Sequence, residues 1–101
     1  MAKPLNELSA VEMVGRIANK ETSVRAVADA HLERIAARDE EVGAFIQIKP
    51  DQVRAAADAA DKGGPVFPLH GIPVAVKDLI DTADLPTGYG SEIYLNHQPE
   101  T

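Results

Sequence analysis

Residues 69–91 read LHGIPVAVKDLIDTADLPTGYGS. Val74, Ala75 and Val76 form a short unbroken apolar run that follows Gly71 and Pro73 and ends on Lys77. A run this short, β-branched and bounded by Gly and Pro reads as a buried strand over about 73–77 rather than a helix. Alternation puts Val74 and Val76 on one face, Ala75 and Lys77 on the other. Both faces stay apolar up to the last residue, which predicts an interior strand of a covered sheet. Lys77 then stands at the carboxyl end of the strand, where open α/β sheets place ligands. Asp78 and Asp81 follow, then a turn-rich segment with Pro86, Gly88 and Gly90. Glycines on both sides of Tyr89 predict close backbone approach or positive φ.

Upstream, Ala44–Ile48 (A-F-I-Q-I) reads as a second strand over 44–48. Three helices are expected, over about 9–20, 23–39 and 51–62. The first opens on Ser9 and Glu12, spaced as a capping box, with Leu8 and Met13 at hydrophobic-staple positions. Its apolar face is read as Val11, Val14, Ile17 and Ala18. Residues before Leu8 read as a flexible lead-in. In the second, Val24, Val27, Ala28, Leu32 and Ile35 make one stripe. Arg25 and Asp29 are four apart on its wet side. His31 borders the stripe and reads as a boundary histidine with a hydrogen-bond partner. The third helix opens at Pro50 and Asp51, with Asp51 as its cap. It presents Val53, Ala56, Ala57 and Ala60, and Gly63-Gly64 ends it, with Pro65 blocking a restart. Ser91 reads as the cap of a short helix.

The 101 residues suffice for one small domain. An apolar fraction of 45% and a charged fraction of 26% are those of a globular protein. The formal net charge of −6 argues against nucleic acid or an anionic membrane as partner. Cysteine is absent, which excludes disulfides and thiol catalysis. With no apolar run of transmembrane length and no signal-type N-terminus, a cytoplasmic location is expected. His31, His70 and His97 show no zinc spacing, and no phosphate-binding glycine motif occurs. Asp78, Asp81 and Asp84 do not match an EF-hand loop and read as solvated loop acids. No metal and no cofactor is expected.

The 69–91 stretch resembles the amidase signature family of serine hydrolases. That family carries its catalytic lysine in a G-[IV]-P-[VIF]-[AG]-[VI]-K-D pattern, followed by I-D-x-x-x-x-P-T-x-x-G-S. Here these are Gly71-Ile72-Pro73-Val74-Ala75-Val76-Lys77-Asp78, and Ile80-Asp81 through Pro86-Thr87 to Gly90-Ser91. The segments A-D-A-A-D-K-G-G at 57–64, H-L-E-R-I at 31–35 and G-A-F-I at 43–46 are also typical, so the resemblance runs from about Leu8 onward.

The resemblance implies an α/β fold, α/β/α in layers around a mixed central sheet, of which residues 1–101 would be the N-terminal helices and first strands of a single amidase domain. It implies Lys77 as a catalytic residue, the base of a Ser-cisSer-Lys triad. The lysine takes a proton through the middle serine, and the other serine attacks the amide carbonyl to give an acyl-enzyme that water hydrolyses. Burial at a strand end disfavours the charged ammonium, which suits a base. An ion pair between Lys77 and Asp78 or Asp81 is the competing reading of the same residues. A Schiff-base lysine is a further rival, but it lacks a phosphate-binding loop. The family's serines lie downstream of the lysine, whereas the serines here are Ser9, Ser23 and Ser91, two helix caps and the residue after Gly90. The 101-residue chain alone is therefore expected to be inactive. The implied partners are a small-molecule amide and the remainder of an amidase domain, with association into a homo-oligomer through open strand edges. Two alternatives stand beside a general amidase: a truncated, non-catalytic folding or interaction module, and the amidase component of a glutamine-dependent amidotransferase. No residue is assigned to substrate binding.

Overall fold

A computed structural model of the chain describes residues 3–64, 68–94 and 96–101. Contacts divide it into two compact units, Met1–Ala44 with Lys49–Pro73, and Phe45–Ile48 with Val74–Thr101.

The first unit is helical. Ser9 caps α1 (Ala10–Ala18): its hydroxyl accepts from the Glu12 N–H at 3.1 Å and the Glu12 carboxylate accepts from the Ser9 N–H at 3.2 Å. The box leaves two of the helix's orphan donors satisfied. Leu8 and Met13 are both buried in one cluster with Val27, which closes the staple. The staple turns Met13 inward and leaves Val11 83% exposed, so Val11 does not belong to the expected apolar face. Residues Leu5–Glu7, expected within a flexible lead-in, form a 3₁₀ turn, and Leu5 packs on the same cluster because it has apolar surface to cover. α1 ends in a Schellman closure. Glu21 N–H donates to Arg16 O at 2.9 Å and Lys20 N–H to Ile17 O at 3.1 Å, with Lys20 at φ 59°.

α2 spans Val24–Val42, three residues beyond the expected end. Glu40 and Glu41 are good helix formers, and the chain stops only where Gly43 supplies a left-handed closure at φ 67°. The stripe is buried as expected at Val24, Val27, Ala28 and Leu32. His31 Nδ1 lies 2.8 Å from Val27 O.

α3 spans Pro50–Gly63 and packs on α2 through Val53, Ala57 and Ala60, whereas Ala56 is exposed. Pro50 at the first turn needs no N–H partner. Asp51 does not cap; it lies one residue inside the helix and accepts from Arg54 Nη1 at 3.4 Å. The expected block at Pro65 lies outside the described residues.

Side chains tie α3 to the start of α2. The Asp61 carboxylate accepts from the N–H groups of Val24 at 2.8 Å and Arg25 at 3.0 Å. Ser23 Oγ accepts from Ala26 N–H at 3.0 Å, so three first-turn donors of α2 are satisfied. Arg25 bridges Asp29 at 3.0 Å and Asp58 at 2.7 Å, and Arg54 reaches Asp29 at 3.1 Å. Desolvation works against the Asp29 charge, but hydrogen bonds from Arg54 and Arg25 outweigh it and hold that carboxyl below the usual range. Arg25 and Asp29 thus belong to an interhelical network rather than to a free surface pair.

The second unit is irregular apart from a 3₁₀ turn at Glu92–Tyr94. Helix is the one kind of regular secondary structure among the described residues. Neither 44–48 nor 73–77, the stretches expected as strands, carries a ladder. A strand needs a neighbour for its backbone groups, and two short strands do not make a stable sheet on their own. Val74 and Val76 accordingly stand 80% and 52% exposed. Phe45–Ile48 nevertheless falls in the same unit as Val74–Lys77. No helix among the described residues is long and apolar enough to cross a membrane.

Candidate active site

Lys77 opens a tight turn. Its carbonyl accepts from the Ile80 N–H at 3.0 Å, which fixes the backbone on either side of Asp78 and Leu79. The Lys77 side chain is exposed, not buried as the apolar run suggested. The apolar run itself is uncovered, so nothing encloses its last residue. Among the described residues Lys77 has no carboxylate within ion-pair distance, so the Asp78 and Asp81 pairing is not formed.

Asp78 is occupied elsewhere. Its Oδ1 accepts from the Gly88 N–H at 2.7 Å and its Oδ2 from the Gly90 N–H at 3.4 Å. Its main-chain carbonyl accepts from the Tyr89 N–H at 2.9 Å. The G-Y-G triplet is thereby folded onto the residue that follows Lys77. Close approach and positive φ, expected of these glycines as alternatives, divide between them. A Cβ on Gly88 would meet Asp78 Oδ2 at 2.9 Å, whereas Gly90 has open space and needs its freedom for φ 71°.

Gly88 O accepts from the Ser91 N–H at 3.0 Å, closing a second turn with Tyr89 and Gly90 at its centre. Both have positive φ, 54° and 71°, as the central residues of a type I′ turn require. Tyrosine pays a steric cost there that glycine would not. The Tyr89 hydroxyl donates to Asp81 Oδ1, and its ring meets Tyr94 edge-on at 5.5 Å and His97 at 5.8 Å. That hydrogen bond, with desolvation and the Asp81 charge behind it, holds the Tyr89 phenol above its ordinary range. Beneath the turn, buried Thr87 donates its N–H to His97 O at 2.7 Å, and Gln98 Nε2 donates to Ala83 O at 2.7 Å.

All three serine hydroxyls serve as local caps. Ser9 and Ser23 cap α1 and α2, and Ser91 Oγ accepts from the Ile93 N–H at 3.3 Å. None stands as a base-activated nucleophile. In the first unit a cavity of about 440 Å³ is lined by Ile17, Lys20, Ser23, Asp61 and His70 among others. Asp61 and Ser23 are spent there on the start of α2, and buried His70 places Nε2 3.0 Å from Ala60 O. Among the described residues no group of three or more His, Cys, Asp or Glu side chains is disposed to hold a metal ion.

Sequence reasoning singled out Lys77 but missed Asp78 and Asp81 as loop anchors. A signal was present: short acidic side chains shortly ahead of a G-Y-G triplet whose N–H groups need acceptors.

The family model for Amidase matches residues 26–101. A glutamyl-tRNA(Gln) amidotransferase subunit from Salinispora arenicola is 42% identical over 99 residues, covering 94% of this chain and 20% of that protein. Proteins of the same description from Rhodococcus erythropolis and Geobacter sulfurreducens are 43% and 41% identical, covering 88% and 94% of this chain and 19% and 20% of theirs. The chain thus spans about a fifth of the length of the curated relatives it matches. No solved structure matches it. With three-quarters of its residues inside the family match, and the lysine segment among them, the chain belongs to the amidase family, in its amidase signature form.

Proposed function

We propose that this chain supplies the base, Lys77, of an amide-hydrolysing Ser-cisSer-Lys centre, and that the centre releases ammonia from glutamine as part of a cytoplasmic glutamyl-tRNA(Gln) amidotransferase. The observation that carries the first half is the state of Lys77: at the head of a hydrogen-bonded turn, in the family's lysine segment, with no carboxylate pairing its ammonium among the described residues. A structural ion pair would have spent it. The second half is supported by the relatives, all of them described as the same component of that enzyme. In this proposal 44–48 and 73–77 become strands of an α/β/α fold once further sheet pairs with them. The grouping of Phe45–Ile48 and Val74–Lys77 in one unit supports that.

The chemistry divides accordingly. Lys77 accepts the proton of the nucleophilic hydroxyl through the middle serine, the carbonyl carbon gains the serine oxygen, and ammonia leaves with a returned proton. In the family both serines lie downstream of the lysine, and the three serines here are spent as caps.

The test uses the longer protein that carries this sequence, with ammonia release measured on L-glutamine and on simple aliphatic amides. Lys77→Ala is expected to abolish release while the fold persists. Lys77→Arg is expected to be equally inactive, because a guanidinium stays protonated and cannot act as a base. Near-wild-type turnover by Lys77→Ala would refute the lysine assignment. Turnover of aliphatic amides but not of glutamine would refute the amidotransferase half and leave a general amidase.

A further inference from the structure

We propose that Asp78 is a positioning residue for Lys77: it clamps the Gly88–Ser91 turn to the Lys77–Ile80 turn and so fixes where the lysine stands against that loop. The inference rests on Lys77 being the base.

Lys77 has a long, flexible and exposed side chain, so its placement depends on the backbone that carries it. That backbone is held on one side only by the Ile80 N–H to Lys77 O bond. Asp78 is the next residue and contributes three acceptors to the G-Y-G triplet, two from its carboxylate and one from its carbonyl. The Lys77–Ile80 and Gly88–Ser91 turns are thus joined through Asp78, whose contact with Gly88 spans ten residues. Asp78 does not act as counter-ion to Lys77 in this structure: both its carboxylate oxygens accept from glycine N–H groups, and no ion pair with the lysine is formed among the described residues. The partner side is as specific. A methyl group on Gly88 would stand 2.9 Å from Asp78 Oδ2, so the carboxylate would have to move off its glycine N–H partners. Asp78 and Gly88 therefore form one coupled device, which either substitution should break.

The two halves of the device respond differently to conservative change. Asn at 78 keeps one carbonyl oxygen for the Gly88 N–H, the short bond at 2.7 Å, and loses only the long contact with Gly90. Ala keeps neither.

The experiment is kinetic, on the longer protein, with L-glutamine as substrate and Lys77→Ala alongside. Asp78→Ala is expected to lower kcat by about 10- to 100-fold with KM little changed, the signature of a misplaced catalytic group. Asp78→Asn is expected to retain most of kcat, and Gly88→Ala to match Asp78→Ala. Hydrogen exchange at the Gly88 amide should quicken in Asp78→Ala and not in Asp78→Asn. A wild-type kcat in Asp78→Ala overturns the inference, as does an Asp78→Asn as impaired as Asp78→Ala, or a change confined to KM. If Asp78→Ala does not fold, the pair Asp78→Asn and Gly88→Ala decides: active and impaired, respectively, supports the clamp, and any other combination overturns it. An active Lys77→Ala brings down the lysine assignment itself and the positioning role with it. An inactive Lys77→Ala beside a fully active Asp78→Ala brings down the positioning role alone.

Discussion

Tyr89 holds a backbone conformation that its side chain disfavours, at φ 54°, and is kept there by its surroundings. Its N–H is bound by Asp78, its hydroxyl by Asp81 and its ring by Tyr94 and His97. Asp81 stabilises the protonated phenol, so Tyr89 should ionise at more alkaline pH than an ordinary tyrosine. The check is a tyrosinate absorbance titration read as the difference between wild type and Tyr89→Phe. Asp81→Asn should bring that transition back toward the ordinary range, and a transition unmoved by Asp81→Asn would show that the pair is not formed in solution. At this scale the glycines of the turn were legible, because backbone demand is local. The partner of those glycines was not, because nothing in the local pattern says that the Asp78 carboxylate folds onto a turn ten residues further on.

The caps were the most legible elements, since donor and acceptor lie within three residues of each other. Ser9→Ala should cost about 1 kcal/mol of stability and leave turnover unchanged. The box also titrates. The Ser9 backbone N–H, followed by the Ser9 side chain and Lys3, holds the Glu12 carboxyl below its ordinary value. A carboxyl with a lowered folded value stabilises the fold above the ordinary carboxylate range and loses that contribution as pH falls through the lowered value. Thermal melts of wild type and Glu12→Gln should therefore differ near neutrality and converge in acid; a gap that persists in acid would assign the effect to something other than the carboxylate charge. Helix ends were less legible. Lys20 closes α1 in a conformation usually left to glycine, and α2 runs through Glu40 and Glu41 to the one residue that can turn left-handed without strain. Asp51 suited a cap by position, but the Pro50 start moved it inside the helix.

At the scale of the molecule, the two expected strands were legible as apolar runs and not as a sheet, because pairing depends on polypeptide that local pattern does not describe. What remains is a second unit whose Val74, Val76, Leu79 and Ile80 are each more than half exposed. Apolar surface of this kind favours association. A polypeptide of these 101 residues is expected to self-associate in sedimentation and to release no ammonia from amides, since its three serines all serve as caps and leave the proposed base without a nucleophile. A monomer with a single cooperative melt, or measurable turnover, would contradict the two halves of that expectation separately.

The join between α2 and α3 works as a ruler. Asp58 takes the Arg25 guanidinium while Asp61 takes the main-chain N–H groups of Val24 and Arg25, two tasks at one spot set by a spacing of three. Each residue advances a helix by about 100°, so deleting one residue between the acids would swing them about 200° apart, onto opposite sides of α3. One helix could then no longer do both jobs. The D-A-A-D string therefore tolerates exchange of its exposed Ala59 far better than any change in the number of residues between the acids.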